Sequence, residues 1–575
     1  MQEKFKTMSD TNQVNKQEFY LFVLAFGIAL FLRLLRLGEL PLGDIESSWA
    51  LQALDLSKGL RTGMGSQPAY VIFTGLLFYV FQAGNLAARF VPAFFGAILT
   101  VIPYQFRNKL GTRTAVILAF FLAFDPGFLA ISRTAGSPVL AVTTLLFLFA
   151  AWNKRNYGTA GKLAGFALLT GPFLWPGILG LLFAKLISNG LGVTVFSSEQ
   201  TGDNPGRAGW IKIISYALIT YVLAGSLFLL ASGGLSAGVA SLPEYLGGFI
   251  NFSDITAARM LFALVTYELL AVLLAAAAIV RGFIVRDSLV ISMGSWFISA
   301  LVFSLVYPSR QVSDLAWSLI PLLVLASIEL EKHLSPIIEG KWETISMMIF
   351  TAAILGFATL NYFAIALTPL DPAALQLRWY ILIGSLGLLL VSIAMVGFGW
   401  SISTAVQGGI WGSLMVMVFC SLSMSAAAAE LKTNPTYELW NPGPYIGQQK
   451  TLINQLNDLS RWKKGTNTTL EVTIAGVKSP ALLWTLRDWK VSILDDLNLA
   501  NNSPEVVVAT DQFSSTQIES VYRGQDFTWR VYPAWDQGLT ADWLKWTIIH
   551  EFPKSEEKLI LWVRSDIFID SQNNQ

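Results

Sequence analysis

The chain has 575 residues, 54% of them hydrophobic and only 13% charged, with a mean hydropathy of +0.54. Soluble proteins carry roughly 25% charged residues, so this composition excludes an ordinary soluble protein and describes a polytopic membrane protein. A formal net charge of +1 excludes a nucleic-acid partner, and the single Cys420 and two distant histidines, His333 and His550, exclude a disulfide framework and a histidine-based zinc site.

The N-terminal tail, 1–17, is polar and carries Lys4, Lys6 and Lys16. Glu18 to Leu37 is long enough to cross a bilayer and has no small-residue cleavage site after it. It reads as an uncleaved first span with a cytoplasmic N-terminus. The stretch LGELPLGDIESSWALQALDLSKG then falls outside. Asp44 and Glu46 follow Pro41 and Gly43, and Trp49, Leu51, Ala53, Leu54 and Leu56 predict an amphipathic helix along the interface. The two carboxylates are either an acidic helix start or a functional pair. Ala69 to Phe81 is too short to span. Placing it in a first external loop, 38–84, makes Asn85 to Phe106 the second span and keeps Arg107, Lys109 and Arg113 in the cytoplasm.

By the same rule Thr114 to Ala130 runs outward, Ser132-Arg133 turns outside, and Pro138 to Trp152 returns to Lys154, Arg155 and Lys162. Lys162 to Ile187 is interrupted by GPFLWPG, which predicts two half-spans around a break of the kind that survives only inside protein or beside a cavity. Ser188 to Gly209 is an inside loop, Ile211 to Ala231 a span, and Ser232 to Thr256 a Gly- and Ser-rich external loop that could cover a site. Ala257 to Val280, Ser288 to Tyr307, Leu315 to Leu330, Ile345 to Leu367, Trp379 to Gly399 and Thr404 to Ala428 bring the transmembrane part, 18–429, to about thirteen spans. The odd number puts the C-terminus outside. From 430 to 575 strand-like segments (TLEVTIAG, KVSILDD, PEVVVATD, SSTQIESVY, FTWRVYP, KLILWVR) alternate with helix-like ones (SPALLWTLRDW, TADWLKWTIIH), predicting a soluble extracytoplasmic α/β domain with a largely parallel sheet. No Gly-rich phosphate loop follows its first strand.

Three further positions stand out. Glu268, in VTYELL, falls near the middle of a predicted span, where an exposed charge costs roughly 2.5–3.5 kcal/mol, so it is either a protonated structural residue or a substrate ligand. Asp125 precedes Pro126 and suits a cap of the external turn. Trp484, Trp489, Trp529, Trp543 and Trp546 either pack a core or dock to the membrane, or stack on sugar rings.

PLGDIESSWALQALDLSKG, RFVPAFFGAILTVIPYQFRNKLG, FDPGFLAISR and YPSRQVSDLAWSLIPLLVLA, in that order, resemble a GT-C membrane glycosyltransferase of the family 39, protein O-mannosyltransferase-like group. The resemblance covers most of the first 330 residues. It departs at Ser66-Gln67-Pro68-Ala69, where relatives commonly have Lys or His before paired prolines, and at Pro138, where many have an acid. It implies a GT-C-like fold, a polyprenyl-phosphate sugar as donor, an active site on the outer face, and a first-loop carboxylate as general base: Asp44, with Glu46 as the nearby alternative. In such chemistry a cation steadies the departing phosphate, a role suited to Arg133 and Arg310 unless they serve headgroups or helix ends. Gln67 could bind phosphate or sugar, or be a plain loop residue. The acceptor is an unnamed protein, lipid or glycan, no cofactor is certain, and a divalent metal stays open. The rival readings are a transporter or flippase partner that binds lipid-linked sugar without chemistry, and a scaffold that recruits envelope proteins.

Overall fold

The computed structural model describes residues 2–60, 63–193, 206–334, 341–367, 371–431, 437–441, 443–494, 504–510 and 522–569. The expected strand SSTQIESVY, apart from Tyr522, and most of the expected inside loop Ser188 to Gly209 lie outside them. The chain is a polytopic helical membrane protein with a C-terminal domain built on a sheet. Among the described residues eight helices are long and apolar enough to cross a membrane, or up to ten if two bent pairs each count as one span. The difference from about thirteen lies in three shorter helices, Val139–Asn153, Tyr157–Ala167 and Leu174–Gly190. At 1.5 Å per residue each falls short of a bilayer core. The last two flank the GPFLWPG break. Val312–His333 is the central span, with 94% of its apolar window buried, whereas Arg207–Gly225 and Pro372–Gly399, at 11% each, face outward.

The helix breaks follow from the sequence. Thr112–Phe124 and Pro126–Ser132 meet at 54°. Pro126 has no N–H to give the Leu122 carbonyl, and the Gly127 N–H goes instead to Glu268 Oε1 at 3.3 Å. The fully buried Arg33 meets the shortfall, donating to the Leu122 carbonyl at 3.0 Å and the Ala123 carbonyl at 3.3 Å. Asp125 caps the new helix through the Phe128 N–H at 2.6 Å.

Two expectations are corrected. Glu268 does not sit in mid-helix: Ala257–Tyr267 and Leu269–Val285 bend by 92° at that residue, so its carboxylate reaches across to the first break. The Ser232 to Thr256 segment is not an open loop, because Gly233–Gly247 is helical. Its glycines permit the packing, since a Cβ on Gly234 would lie 2.2 Å from the Gly225 carbonyl oxygen.

The C-terminal sheet comprises β1 (Tyr445–Ile446), β2 (Glu471–Ala475), β3 (Lys490–Leu494), β4 (Val506–Thr510), β5 (Tyr522–Pro533) and β6 (Lys554–Arg564), in the order β1-β5-β6-β4-β2-β3. Among the described residues only the β2–β3 and β2–β4 ladders are parallel. β4–β6, β5–β6 and β1–β5 are antiparallel, so the sheet is mixed and not largely parallel. The expected crossover helix explains the difference. Thr540–Ile549 leaves the sheet and docks on the membrane helices, Trp543 meeting Phe262 edge-on at 4.7 Å and Thr547 bonding Tyr362 at 2.5 Å. β5 and β6 are thereby free to pair directly.

Candidate functional site

The first-loop helix, Asp44–Ser57, begins where Pro41 and Gly43 end the turn, with both acids in its first turn. Glu46 is 6% exposed and fully engaged. Its Oε2 accepts from the Gly43 N–H at 3.1 Å and Arg89 Nη2 at 2.5 Å, and its Oε1 accepts from Arg89 Nε at 2.8 Å and the Ala135 N–H at 2.9 Å. Arg89 also donates to the carbonyls of Leu40 and Pro41, at 3.1 and 3.0 Å. Together they tie the first loop to the second span and to the turn after Ser132.

Asp44 faces the C-terminal domain. Its Oδ2 accepts from Arg530 Nε at 2.6 Å, while its Oδ1 accepts from the Ser479 hydroxyl at 2.6 Å and the Ala481 N–H at 3.0 Å. Arg530 also pairs with Glu557 at 3.1 Å. Partial burial works against its charge, but the hydrogen bonds to Asp44 and Glu557 outweigh this and hold its pKa above the ordinary arginine value.

The residues just after Asp44 form one wall of a cavity of about 500 Å³. Ile45, Ser48 and Trp49 line it from the first-loop helix, and Gln67 from the start of the next helix, Pro68–Phe81. Other walls come from the Ile131–Pro138 turn, the Pro172–Pro176 break, the end of Gly233–Gly247, the Phe303–Asp314 turn and Trp440. Apart from Trp440, each lies in or beside a break or turn that the charge pattern assigns to the outer face. Gln67 steadies the rim by donating to the Gly136 carbonyl at 3.0 Å. Gly136 has φ +72°, and a Cβ there would lie 2.4 Å from Trp49 Cδ1, so this turn requires glycine to admit the tryptophan. Tyr245 and Tyr307 stack at 5.0 Å and 17° in the opposite wall.

Among the described residues the charged ones of the lining are Glu244 and Asp314, neither singled out in the sequence. Asp314 is 7% exposed, and its Oδ2 accepts from the Gln311 N–H at 2.8 Å. Among the described residues no donor or cation is paired with its Oδ1. Among the described residues Ser137 Oγ and Trp440 Nε1 are buried without a partner. The cavity therefore offers the buried Asp314 Oδ1, the exposed Glu244 carboxylate and several neutral donors. The Q-x-x-D spacing of Gln311 and Asp314 signals a capped turn, but only the fold turns that carboxylate toward a void.

Arg133 and Arg310 are placed elsewhere. Arg133 donates to the carbonyls of Leu32, Arg33 and Leu35, closing the end of the first span. Arg310 donates to the Tyr307 carbonyl at 2.9 Å and the Ile255 carbonyl at 3.4 Å. Glu268 and Asp125 border a separate void of about 20 Å³. Among the tryptophans Trp484, Trp529 and Trp546 are fully buried, with ring nitrogens bonded to Asn85, Ser479 and the Tyr437 carbonyl, while Trp489 and Trp543 pack partly buried against the cores. Among the described residues no group of three or more His, Cys, Asp or Glu side chains is placed to hold a metal.

The chain has the fold of the GT-C membrane glycosyltransferases. It is shared with ArnT from Cupriavidus metallidurans bound to undecaprenyl phosphate, at 12% identity and a TM-score of 0.56, and with the same protein in the apo state, at 13% and 0.51; each covers 95% of this chain and 98% of that one. The likeness reaches the GT-C fold and does not single out the family 39 group within it. No family profile and no curated protein matches the sequence.

Proposed function

We propose that the chain transfers a sugar from a polyprenyl-phosphate donor to an acceptor on the outer side of the membrane, within the 500 Å³ cavity. The observation that supports this most is the convergence of the separate outer turns on one void that holds a buried carboxylate with an available oxygen. In this reading Asp314 Oδ1 takes the acceptor proton, the acceptor oxygen attacks the anomeric carbon, and the bond to the lipid phosphate breaks. Ser137 Oγ and Trp440 Nε1 are the neutral donors for the oxygens that gain charge. Gln67 shapes the rim, and Glu46 acts through Arg89 on the loop. The test is release of labelled sugar from a polyprenyl-phosphate donor by purified protein in lipid nanodiscs.

A second reading, binding of lipid-linked sugar without transfer, draws on the engagement of both first-loop acids, Asp44 by Arg530 and Glu46 by Arg89. It requires donor binding with no turnover. In either reading Arg310→Ala is expected to lower stability by about 1–3 kcal/mol through two unsatisfied carbonyls, with undecaprenyl phosphate affinity unchanged. A weakened affinity at unchanged stability would instead place Arg310 at the phosphate.

The orientation we propose has the N-terminus inside and the first loop and C-terminal domain outside. With Cys420 replaced by serine, a cysteine at the exposed Leu60 should react with an impermeant thiol reagent on intact cells, and one at Lys109 should not. The reverse pattern would invert the assignment.

A further inference from the structure

We infer that Arg530 is a positioning residue, through which the C-terminal domain holds the first-loop helix in place as a wall of the cavity. Asp44 is the first residue of that helix, and Ile45, Ser48 and Trp49, one to five positions on, line the void. The helix start is thus gripped where a small rotation would move the wall. Three donors converge on one carboxylate: the Arg530 guanidinium, the Ser479 hydroxyl and the Ala481 N–H. Arg530 is itself fixed by Glu557 and by donation to the Lys478 carbonyl at 2.7 Å. Asp44 and Arg530 side chains are each 15% exposed, so water competes little for these charge-assisted bonds. Beside them Trp484 Nε1 donates to Asn85 at 2.9 Å, which anchors the same domain to the start of the second span.

The domain also contributes directly to the lining. Trp440 stands in the segment 437–441, between the last span and β1, and its ring lies over Gly127, where a Cβ would come within 2.7 Å of it. One wall is therefore supplied by the domain's leading segment and another is held by its clamp. This makes the C-terminal domain a structural part of the cavity. The inference rests on the proposed use of that cavity for its functional meaning, while the clamp itself can be read without any sugar substrate.

The test uses the full chain in nanodiscs, with Cys420 replaced by serine and a single cysteine introduced at Ser48, in the clamped wall, or at Ser313, in the opposite wall. Arg530→Met and Asp44→Asn are each expected to raise the thiol-labelling rate at position 48 by roughly tenfold and leave position 313 unchanged. Arg530→Lys keeps a charge and should recover part of the protection. An unchanged rate at position 48 in both clamp variants would overturn the inference. So would an equal rise at both positions, which means general loosening. Absence of sugar transfer in the parental protein, with the labelling pattern as expected, would count against the enzymatic reading and leave the clamp standing.

Discussion

Asp314→Asn is expected to lower sugar transfer by on the order of 100- to 10,000-fold, the usual contribution of a general base. The substitution is conservative for the fold, because an Asn side-chain oxygen can still accept the Gln311 N–H that Asp314 Oδ2 accepts at 2.8 Å. Binding of undecaprenyl phosphate should persist. The measurement is initial rate with a labelled polyprenyl-phosphate sugar beside equilibrium binding of the lipid, on Asp314→Asn and Asp44→Asn together. A parental rate in Asp314→Asn combined with loss in Asp44→Asn would return the base to the first loop and require the clamp to open during turnover.

The largest stability effect belongs to the buried pair. Arg89→Met should destabilise the protein by about 3–5 kcal/mol, since Glu46 would be left as an uncompensated buried charge. The two side chains are each 8% exposed, so solvent gives little relief. Adding Glu46→Gln to Arg89→Met should restore part of the loss, because the remaining amide can still accept from the Ala135 N–H. Reversible unfolding in detergent would measure both. A loss below about 1 kcal/mol in the single variant, the level of a surface pair, would show that water reaches Glu46.

The long spans were legible because length, hydropathy and alternating basic loops all report on the same constraint. The two prolines of GPFLWPG likewise announced their break, whereas the 54° break at Pro126 falls inside Thr114 to Ala130, which reads as a single span. The elbow at Glu268 was not legible, since no proline or glycine marks it and its carboxylate bonds an N–H 141 positions away. The roles of Asp44 and Arg310 were hidden for a related reason. A local pattern can locate an acid at a helix start, but whether it meets a void or the distant Arg530 depends on packing between separate parts of the chain. Asp314 lay inside a segment that the resemblance had picked out. Its Q-x-x-D spacing with Gln311 signals only a capped turn, and one of its oxygens serves that cap. The mixed sheet was missed because Thr540–Ile549 has the length of a crossover helix, and its apolar side is matched by membrane helices that no local pattern identifies.

Arg33 has a consequence for how the protein is made. The carbonyls it serves lie 89 and 90 residues further along the chain. During synthesis this helix therefore enters the bilayer with a cation that has the Ala29 carbonyl of its own helix, while the two carbonyls of the broken helix have not yet emerged. Near the end of its helix, such a side chain can reach up to the headgroups while it waits. Its final depth is reached only once the broken helix has been inserted and has offered its open carbonyls. This span is thus inserted before the broken helix it waits for and settles only after it, and that order of membrane assembly is written into a single arginine.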